Sequence, residues 1–331
     1  MSKTVKKFLL LIICLLCAVP CLNSNEFRVS KNRVAGRSFN TIASNAGYRR
    51  IDGAKQTVYR KGKSSFVFNT PRREFYFNGI KFMPGYAPEK KLVRRRWYWR
   101  KENDIAISNS DWYSTFRILL NPASVPRHKV RTITLDAGHG GSDTGAIGKI
   151  SREKNITLRI TRRTAAILRA CGYNVLLTRY RDNTVPLKSR AAIQRSHKSD
   201  LFVSIHVNAT ANRSIRGIET FALTPADAPS SHGKSELKRN PANVRDANNF
   251  LLAYSLQRAL LSRTRAADRG VKRARFAVLK DISAPGALVE VGFISNPAEE
   301  RLLNSSAYIE KVSRAIAEGI LTYHRTVARS R

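Results

Sequence analysis

The sequence predicts an α/β protein with a mostly parallel, twisted sheet and helices on both faces, preceded by a small β-rich module. From about residue 129 onward, short apolar runs alternate with longer segments of helical spacing. Strands that are apolar almost throughout are typical of a parallel sheet buried on both faces. Before that point the strand-like segments are short, aromatic and separated by turn-forming residues, which is typical of a small β-rich unit.

Residues 1–25 have the features of a secretory signal peptide. Residues 1–7 are basic, and the apolar run 8–19 ends at Pro20. This run is shorter than the roughly 20 residues that a spanning helix needs. We therefore expect export to the periplasm or cell envelope, with a retained anchor or lipid attachment at Cys21 as minor alternatives.

Cysteine usage fits an exported chain that depends on its core. Three of the four cysteines lie in or beside the signal segment, so the mature protein is expected to keep only Cys171 and no internal disulfide. The sequence around Cys171 predicts a buried thiol at the end of a helix.

The chain is strongly basic, with 60 Lys and Arg against 23 Asp and Glu and a formal net charge of +37. Such a charge attracts polyanions. For an exported protein, anionic envelope polymers and the membrane surface are the first candidates. A basic composition without a specific partner explains the charge equally well.

The β-rich module is expected over residues 26–127, with strands near 56–59, 65–69 and 74–80. Residues 94–100 mix Arg with Trp and Tyr and could stack on sugars or bases, although a strand with a basic exposed face is the simpler explanation. Cell-wall binding is therefore one interpretation of this module. A linker at 122–127 leads into a domain predicted over residues 128–331.

Strands and helices alternate in that second domain. The apolar runs predict strands at 131–136, 173–178, 200–206, 217–223 and 287–291. The helical spacing predicts helices at 153–170, 187–196, 246–263 and 306–324.

Four residues with suitable chemistry are predicted to meet at one edge of this sheet. Ligands of open α/β sheets bind beyond the carboxyl ends of the strands. His139 follows the first strand, His206 ends the strand 200–206 and Glu290 lies near the end of 287–291. Glu153 begins the helix after the first strand, so it also lies at that edge.

Two imidazoles and a carboxylate are typical of a catalytic zinc site with an open fourth position. We therefore predict one Zn²⁺ held by His139, Glu153 and His206. Glu290 lies in an apolar strand, where an unpaired charge is costly, and is predicted to be the general base. Glu219 is a competing ligand or base. Glu153 alone could simply favour the positive end of its helix.

Four segments resemble the motifs of zinc-dependent N-acetylmuramoyl-L-alanine amidases of the amidase type 3 family. They are residues 135–148, 153–155, 204–209 and 288–297, and residues 179–182, 190 and 269–272 also fall where this family has similar ones. The resemblance covers nearly all of 130–325 in order. It departs from the family at Ala137, where proline is common.

The resemblance implies both the activity and the site. It makes His139, Glu153 and His206 the zinc ligands and Glu290 the catalytic glutamate. The family cleaves the amide bond between the lactyl group of N-acetylmuramic acid and the L-alanine of the stem peptide, so peptidoglycan is the implied substrate. Asn208 and Asn296 lie in the same motifs and are candidate substrate-binding residues.

Several alternatives stay open at this point. A non-catalytic protein that binds anionic cell-wall polymers or nucleic acid would explain the charge, and a zinc peptidase acting on the stem peptide would use the same residues. No nucleotide-binding loop is present, because no Gly-Lys-Ser or Gly-Lys-Thr follows the glycines. Residues 224–245 are polar and contain prolines, which predicts a loop rather than the helix that plugs the zinc site in some relatives. A monomer is expected.

Overall fold

The computed structural model describes residues 27–29, 34–69, 74–94, 99–231 and 237–330. The predicted signal segment 1–25 and the centre of the Arg-aromatic cluster, residues 95–98, lie outside these ranges. The strands of the N-terminal half are β1 (Phe27–Val29), β2 (Val34–Ser38), β3 (Arg49–Asp52), β4 (Thr57–Lys61), β5 (Ser64–Asn69), β6 (Glu74–Phe77), β7 (Ile80–Phe82), β8 (Glu89–Arg94) and β9 (Trp99–Ser108). Its helices are α1 (Phe39–Asn45), α2 (Asn109–Asp111) and α3 (Arg117–Leu120), with a π-helical turn at Trp112–Phe116.

The C-terminal half alternates strands and helices as the sequence predicts. Its strands are β10 (Thr132–Ala137), β11 (Asn174–Leu177), β12 (Leu201–Asn208), β13 (Ile218–Leu223), β14 (Asp268–Ala274) and β15 (Gly286–Phe293). Its helices are α4 (Glu153–Ala170), α5 (Leu187–Ser196), α6 (Asp246–Thr264), α7 (Ala277–Lys280), α8 (Pro297–Asn304) and α9 (Ser306–Ala328). The structure confirms the predicted helices and strands to within a few residues, and adds β14, α7 and α8.

One large sheet runs through both halves of the described chain, in the order β11-β10-β12-β15-β13-β14-β7-β6-β5-β4-β3. In the C-terminal half the neighbouring strands are parallel, except that β13 runs antiparallel to β15. The strands from β7 to β3 are antiparallel. A small closed barrel of β1, β2, β9 and β8 completes the N-terminal half. The predicted fold class is confirmed.

The two halves join where β7 pairs in parallel with β14, and we call this contact the β7–β14 junction. Phe82 lies opposite Val271, and the amide of Met83 donates to the carbonyl of Val271 at 2.8 Å. The amide of Lys81 donates to the Asp268 carboxylate at 2.7 Å. The division at residue 127 stays a prediction, since the two halves share this sheet.

The hydrophobic core is also continuous across the junction. A single cluster of buried residues includes Phe39 and Phe66 in the N-terminal half and Phe250 and Val289 in the C-terminal half. On the other face of the sheet, α5 and α7 cover a second cluster that includes Phe202 and Phe221. Helices therefore cover both faces, which leaves the strand ends as the accessible edge.

Cys171 lies at the surface, and the described helices are too short or too polar to span a membrane. Cys171 follows α4 as its C-cap, as expected of a helix-end residue, but it is exposed, so the expected burial is wrong. The thiol lies in the turn that Gly172 completes with a φ of 86°, and residues 169–172 are all exposed, so this end of α4 lies at the surface. Among the described residues, no helix combines the length and apolarity needed to cross a bilayer.

The segment after β13 is a loop in its described parts, with only a 3₁₀ turn at Pro241–Arg245. Because β13 is antiparallel to β15, this segment leaves from the sheet edge opposite to Glu290. Asp227 fixes the segment to the N-terminal half, since its carbonyl accepts from the Tyr86 hydroxyl and its carboxylate from Ser110, at 2.9 and 2.7 Å. Residues 232–236 lie outside the described chain.

Candidate active site

Three possible metal ligands gather at the strand-end edge of the C-terminal half. His139, Glu153 and His206 each offer a ligand atom, and these atoms all lie within 4.8 Å of one another. His139 Nε2 is 3.2 Å from Glu153 Oε2, and His206 Nδ1 is 3.0 Å from Glu153 Oε1. No second group of three or more such side chains meets this criterion in the described residues.

Glycines allow the chain to pack this closely. His139 has a left-handed φ of 60° and lies directly after Gly138. A Cβ atom at Gly138 would stand 2.4 Å from the His206 ring, and one at Gly145 would stand 2.6 Å from the Glu153 carboxylate. These two positions therefore require glycine to let the backbone approach the ligands.

Glu153 is held as a carboxylate by its surroundings. Its side chain is buried, and its oxygens accept hydrogen bonds from the backbone amides of Ala146 and Val207 at 2.9 and 3.0 Å. Burial alone would raise the pKa of this carboxyl, but the hydrogen bonds and charges of His139 and His206 outweigh it and lower the pKa. Glu153 therefore presents a negative charge to the two imidazoles.

The donor set fits a metal ion. His139 Nδ1 lies 2.9 Å from the Asp143 carboxylate, so a neutral ring that donates there turns the lone pair of Nε2 toward the Glu153 oxygen. Two lone pairs facing each other at this distance repel, and a cation between them removes the repulsion. Zinc bonds of about 2.0–2.2 Å in a tetrahedral site separate the ligand atoms by roughly 3.4 Å, close to the 3.2 and 3.0 Å between Glu153 and the two imidazoles.

Asp143 also affects the protonation of this imidazole. Burial by itself would lower the pKa of His139, but hydrogen bonds to Glu153 and Asp143 and their negative charges raise it. A carboxylate on the second ring nitrogen is the arrangement that fixes the tautomer and orientation of metal-binding histidines. The sequence reasoning did not single out Asp143, although its spacing of four residues from His139 is visible in the motif.

Glu290 lies beside the possible ligands on the neighbouring strand. It is the register partner of His206 across β12 and β15, and of Glu219 across β15 and β13. Its Oε2 atom is inaccessible to solvent and has no hydrogen-bond partner among the described residues, although the residue as a whole is partly exposed. A buried carboxylate oxygen without a partner is costly, which indicates a group that acts on a ligand.

The pKa of Glu290 is raised well above its ordinary value. Burial is the main cause, the negative charges of Glu153 and Glu219 add to it, and Lys272 opposes it. A carboxylate with a raised pKa is a stronger proton acceptor and, once protonated, a usable acid near neutral pH.

Two buried arginines hold the backbone of the loop that carries His139. Arg190 donates from Nη1 to the Ala137 carbonyl at 2.7 Å and from Nη2 to the His139 carbonyl at 2.9 Å. Arg179 donates to the carbonyls of Ala137 and Gly138 at 3.0 and 2.9 Å. The resemblance marked both arginines, but the sequence did not indicate this role.

Asp136 balances the charge of Arg190 beneath the site. Its fully buried carboxylate accepts from Arg190 at 2.7 Å, from Thr178 at 2.6 Å and from Ser204 at 2.7 Å. Burial would raise the pKa of this carboxyl, but Arg190 and the two hydroxyl donors lower it. Both members of this buried ion pair therefore also have further hydrogen-bond partners, which a buried pair needs to offset the cost of desolvation.

Two further glutamates, at the start of α8, fix the loops around the site. Glu300 accepts three consecutive backbone amides, those of residues 149, 150 and 151, at 3.1, 2.8 and 3.0 Å. Glu299 accepts the amides of Gly217 and Phe293 at 2.9 and 2.7 Å. Sequence reasoning missed both residues, because acidic residues in the first turn of a helix usually have a local explanation.

The two candidate substrate-binding asparagines are engaged within the protein. Asn208 donates to the Glu219 carboxylate at 2.8 Å. Asn296 caps α8 by accepting the amides of Ala298 and Glu299, and it donates to the Arg213 carbonyl at 2.9 Å. Asn296 thus has a structural task, and substrate binding by either residue stays a prediction. Glu219 is not among the three clustered ligands.

The chain is similar to known N-acetylmuramoyl-L-alanine amidases over most of its C-terminal half. The family model described as N-acetylmuramoyl-L-alanine amidase matches residues 133–322, more than half of the chain. The amidase AmiA of Escherichia coli is 36% identical over 219 residues, which are 58% of this chain and 76% of that protein. The amidase LytC of Bacillus subtilis is 36% identical over 194 residues, covering 59% of this chain and 36% of LytC.

Solved structures show the same likeness. The catalytic domain of CwlV, an N-acetylmuramoyl-L-alanine amidase of Bacillus (Paenibacillus) polymyxa, superposes with a TM-score of 0.51 at 28% identity, over 60% of this chain and 99% of that one. The amidase AmiC2 of Nostoc punctiforme also gives a TM-score of 0.51, at 32% identity, over 59% and 97% of the two chains.

Proposed function

The chain belongs to the N-acetylmuramoyl-L-alanine amidase family, and we propose that it is a zinc-dependent member with His139, Glu153 and His206 as the metal ligands. As a peptidoglycan hydrolase, it acts on the amide bond between N-acetylmuramic acid and L-alanine. Membership favours this activity over a non-catalytic protein that binds anionic polymers. Glu290 is proposed as the general base.

One observation supports the proposal most directly. Three possible ligands from distant parts of the chain converge within 4.8 Å, and Glu290 stands on the adjacent strand. When bound, zinc supplies a Lewis acid that activates a water molecule and polarises the amide carbonyl. The remaining steps depend on side chains of this protein.

Glu290 carries the proton through the reaction. Its carboxylate accepts the proton of the attacking water as the water oxygen bonds to the carbonyl carbon. The same carboxyl then gives this proton to the amide nitrogen while the carbon–nitrogen bond breaks. The products are a lactyl carboxylate on the sugar and a free amine on L-alanine. The raised pKa of Glu290 suits both transfers.

Asp143 and the two buried arginines position the ligands. Asp143 orients the His139 ring, while Arg179 and Arg190 fix the carbonyl groups on either side of that residue. Because a ligand set must be held to within a fraction of an ångström, these contacts prepare the site before substrate binds.

We also propose that the protein is exported. The target bond of this family lies in the cell wall, and residues 1–25 have the composition of a signal peptide. Comparing the N-terminus of the protein isolated from the envelope with the encoded start checks this point. A mature protein that begins near residue 26 is the expected result.

The test combines metal content with product identity. The full chain is expected to contain about one zinc ion and to release free stem peptides while leaving the glycan intact, measured by elemental analysis and by mass spectrometry of the digest. His206→Ala should lose both zinc and activity. His197→Ala, at an exposed histidine, is the matched control and should lose neither. Normal zinc content in His206→Ala would remove the proposed ligand set.

A further inference from the structure

A cationic pair lies next to the site, on the far side of Glu290 from the possible metal ligands. Arg269 Nε and Lys272 Nζ both donate to the same oxygen of Glu219, Oε2, at 3.0 and 2.5 Å. The other oxygen of Glu219 accepts from Asn208 at 2.8 Å. Glu219 therefore holds two cationic side chains close to Glu290, its register partner on β15.

Arg269 is the member of this pair whose side chain a ligand can reach. Glu219 is buried, whereas the Arg269 side chain is 31% exposed. Its contact with Glu219 uses Nε, and a guanidinium has five N–H donors in a fixed plane. The guanidinium carbon lies 4.8 Å from the centre of the Phe293 ring, which restricts the orientation of that plane. A planar guanidinium held in one orientation can bind a carboxylate with two hydrogen bonds.

The position of the pair identifies the part of the substrate that it can reach. The sheet order β10-β12-β15-β13-β14 places Glu290 between the ligand-bearing strands and the strand of Arg269. Glu219 lies directly opposite Glu290 in the antiparallel register, so their side chains share a face. In the proposed reaction the leaving nitrogen takes its proton from Glu290, so the peptide that carries this nitrogen must lie on the Glu290 side of the scissile bond.

We propose that Arg269, supported by Lys272 and Glu219, binds a free carboxylate of the stem peptide on the leaving side of the scissile amide. This inference rests on the proposed function, because it uses Glu290 as the proton carrier. Arg269 contacts the substrate, Lys272 keeps Glu219 neutralised, and Glu219 positions both cations. The pair then makes the enzyme selective for acidic stem peptides.

Two synthetic substrates test the proposal. Both contain N-acetylmuramoyl-L-alanine extended by one residue, whose α-carboxyl group is free in one substrate and a carboxamide in the other. The wild-type enzyme should prefer the free acid in kcat/KM by about 10-fold or more, the effect of a charge-assisted bidentate contact. In Arg269→Gln this preference should collapse toward one, mainly through KM. Arg269→Lys should keep part of it.

Controls separate recognition from folding and from net charge. Arg258→Gln removes an exposed arginine of α6 and should keep the full preference. Urea unfolding of Arg269→Gln should remain close to wild type, because Lys272 still neutralises Glu219. Equal losses of kcat/KM on both substrates in Arg269→Gln, or no preference in the wild type, would overturn the carboxylate site.

A binding measurement keeps this test distinct from the proposed function. Calorimetric titration of an L-alanyl dipeptide, as free acid and as amide, into the full-length wild type and Arg269→Gln measures recognition without turnover. Tighter binding of the acid by the wild type alone supports the site. If neither synthetic substrate is hydrolysed, the proposed function fails, and the titration still decides whether Arg269 binds a carboxylate.

Discussion

The two halves of the large sheet differ in what lies inside them. Beneath the strand ends of the C-terminal half, the buried Asp136 and Arg190 form an ion pair, and Arg190 and the buried Arg179 bond to backbone carbonyls. The interior of the N-terminal half is mainly aromatic, with Phe39 and Phe66 at its centre, and its buried Asp111 carboxylate bonds to the backbone and to Ser108. Hydrogen-bonded charges inside a protein fix the geometry of a site, whereas buried aromatic side chains mainly supply stability.

Substitution of Glu290 in the C-terminal half should change catalysis more than any other substitution considered below. Glu290→Gln removes the proposed proton carrier and should lower the rate of peptidoglycan hydrolysis at least about 100-fold. Zinc content should stay unchanged, and stability should stay equal or rise, because the substitution removes a buried negative charge that Glu153 and Glu219 repel. Muropeptide release, elemental analysis and urea unfolding measure the three quantities. Glu318→Gln, at a half-exposed glutamate of α9, is the control, and an undiminished rate in Glu290→Gln would contradict the base assignment.

A substitution in the aromatic N-terminal half should lower the stability of the protein without changing its zinc affinity. Phe39 is fully buried and packs edge-on against Tyr59 and Phe66, with ring centres 4.9 and 5.2 Å apart. Phe39→Ala should lower the free energy of unfolding by about 3–5 kcal/mol, while zinc affinity of the folded protein stays normal. Tyr113→Ala, at an exposed aromatic residue, should cost less than about 1 kcal/mol. Loss of zinc affinity in folded Phe39→Ala would show that packing in the N-terminal half also determines the geometry of the proposed zinc site.

Substitution of a positioning arginine should weaken metal binding. Arg190→Lys keeps a charge beside Asp136 but loses the fork that bonds to the carbonyls of Ala137 and His139. We expect zinc affinity to fall roughly 10- to 100-fold, measured by competition with a chelator. Arg195→Lys, at an exposed position of the same helix, should bind zinc normally. Unchanged affinity in Arg190→Lys would mean that the loop is held without this side chain.

The smallest expected effect is a pH dependence where the halves meet. Burial raises the pKa of Asp246 to about 6 from 3.8, against the opposing effects of Asn243 and Arg273. Arg273 in turn donates to the Ser114 carbonyl and the Thr115 hydroxyl of the N-terminal half. Because the folded state binds this proton more tightly, the contribution of Asp246 to stability falls as pH rises from about 4 to above 6.

Asp246→Asn removes this titration. The thermal midpoint of the variant minus that of the wild type should therefore increase between pH 4 and pH 7, measured at constant ionic strength. A difference that declines with pH would contradict the raised pKa.

Much of the fold was predictable from the sequence, and the exceptions have physical reasons. The apolar runs that became β10, β12 and β15 are buried on both faces, so their pattern is plain. The strand β14 was not predicted, because Arg269 and Lys272 face the cluster around Glu219 and make the segment look polar. The β7–β14 junction was not predictable either, since an apolar pattern does not specify a partner strand far away in the chain.

The candidate site shows a similar limit. Strand ends and motif resemblance brought His139, Glu153, His206 and Glu290 together in the prediction, and the structure places them at one edge. The roles of Arg179 and Arg190 could not be predicted. The chain contains 60 Lys and Arg residues, and the sequence alone does not show which of them are buried. Their function depends on burial, which only the folded chain shows.

The β7–β14 junction also covers an edge that self-association would otherwise use. β14 bonds to β13 on one side, and β7 occupies its other side at Val271. A strand edge left open invites another chain to add a strand of its own. A shortened chain that lacked β7 would therefore expose such an edge on the strand of Arg269, and pairing between two copies there would bring a second chain next to the proposed carboxylate site.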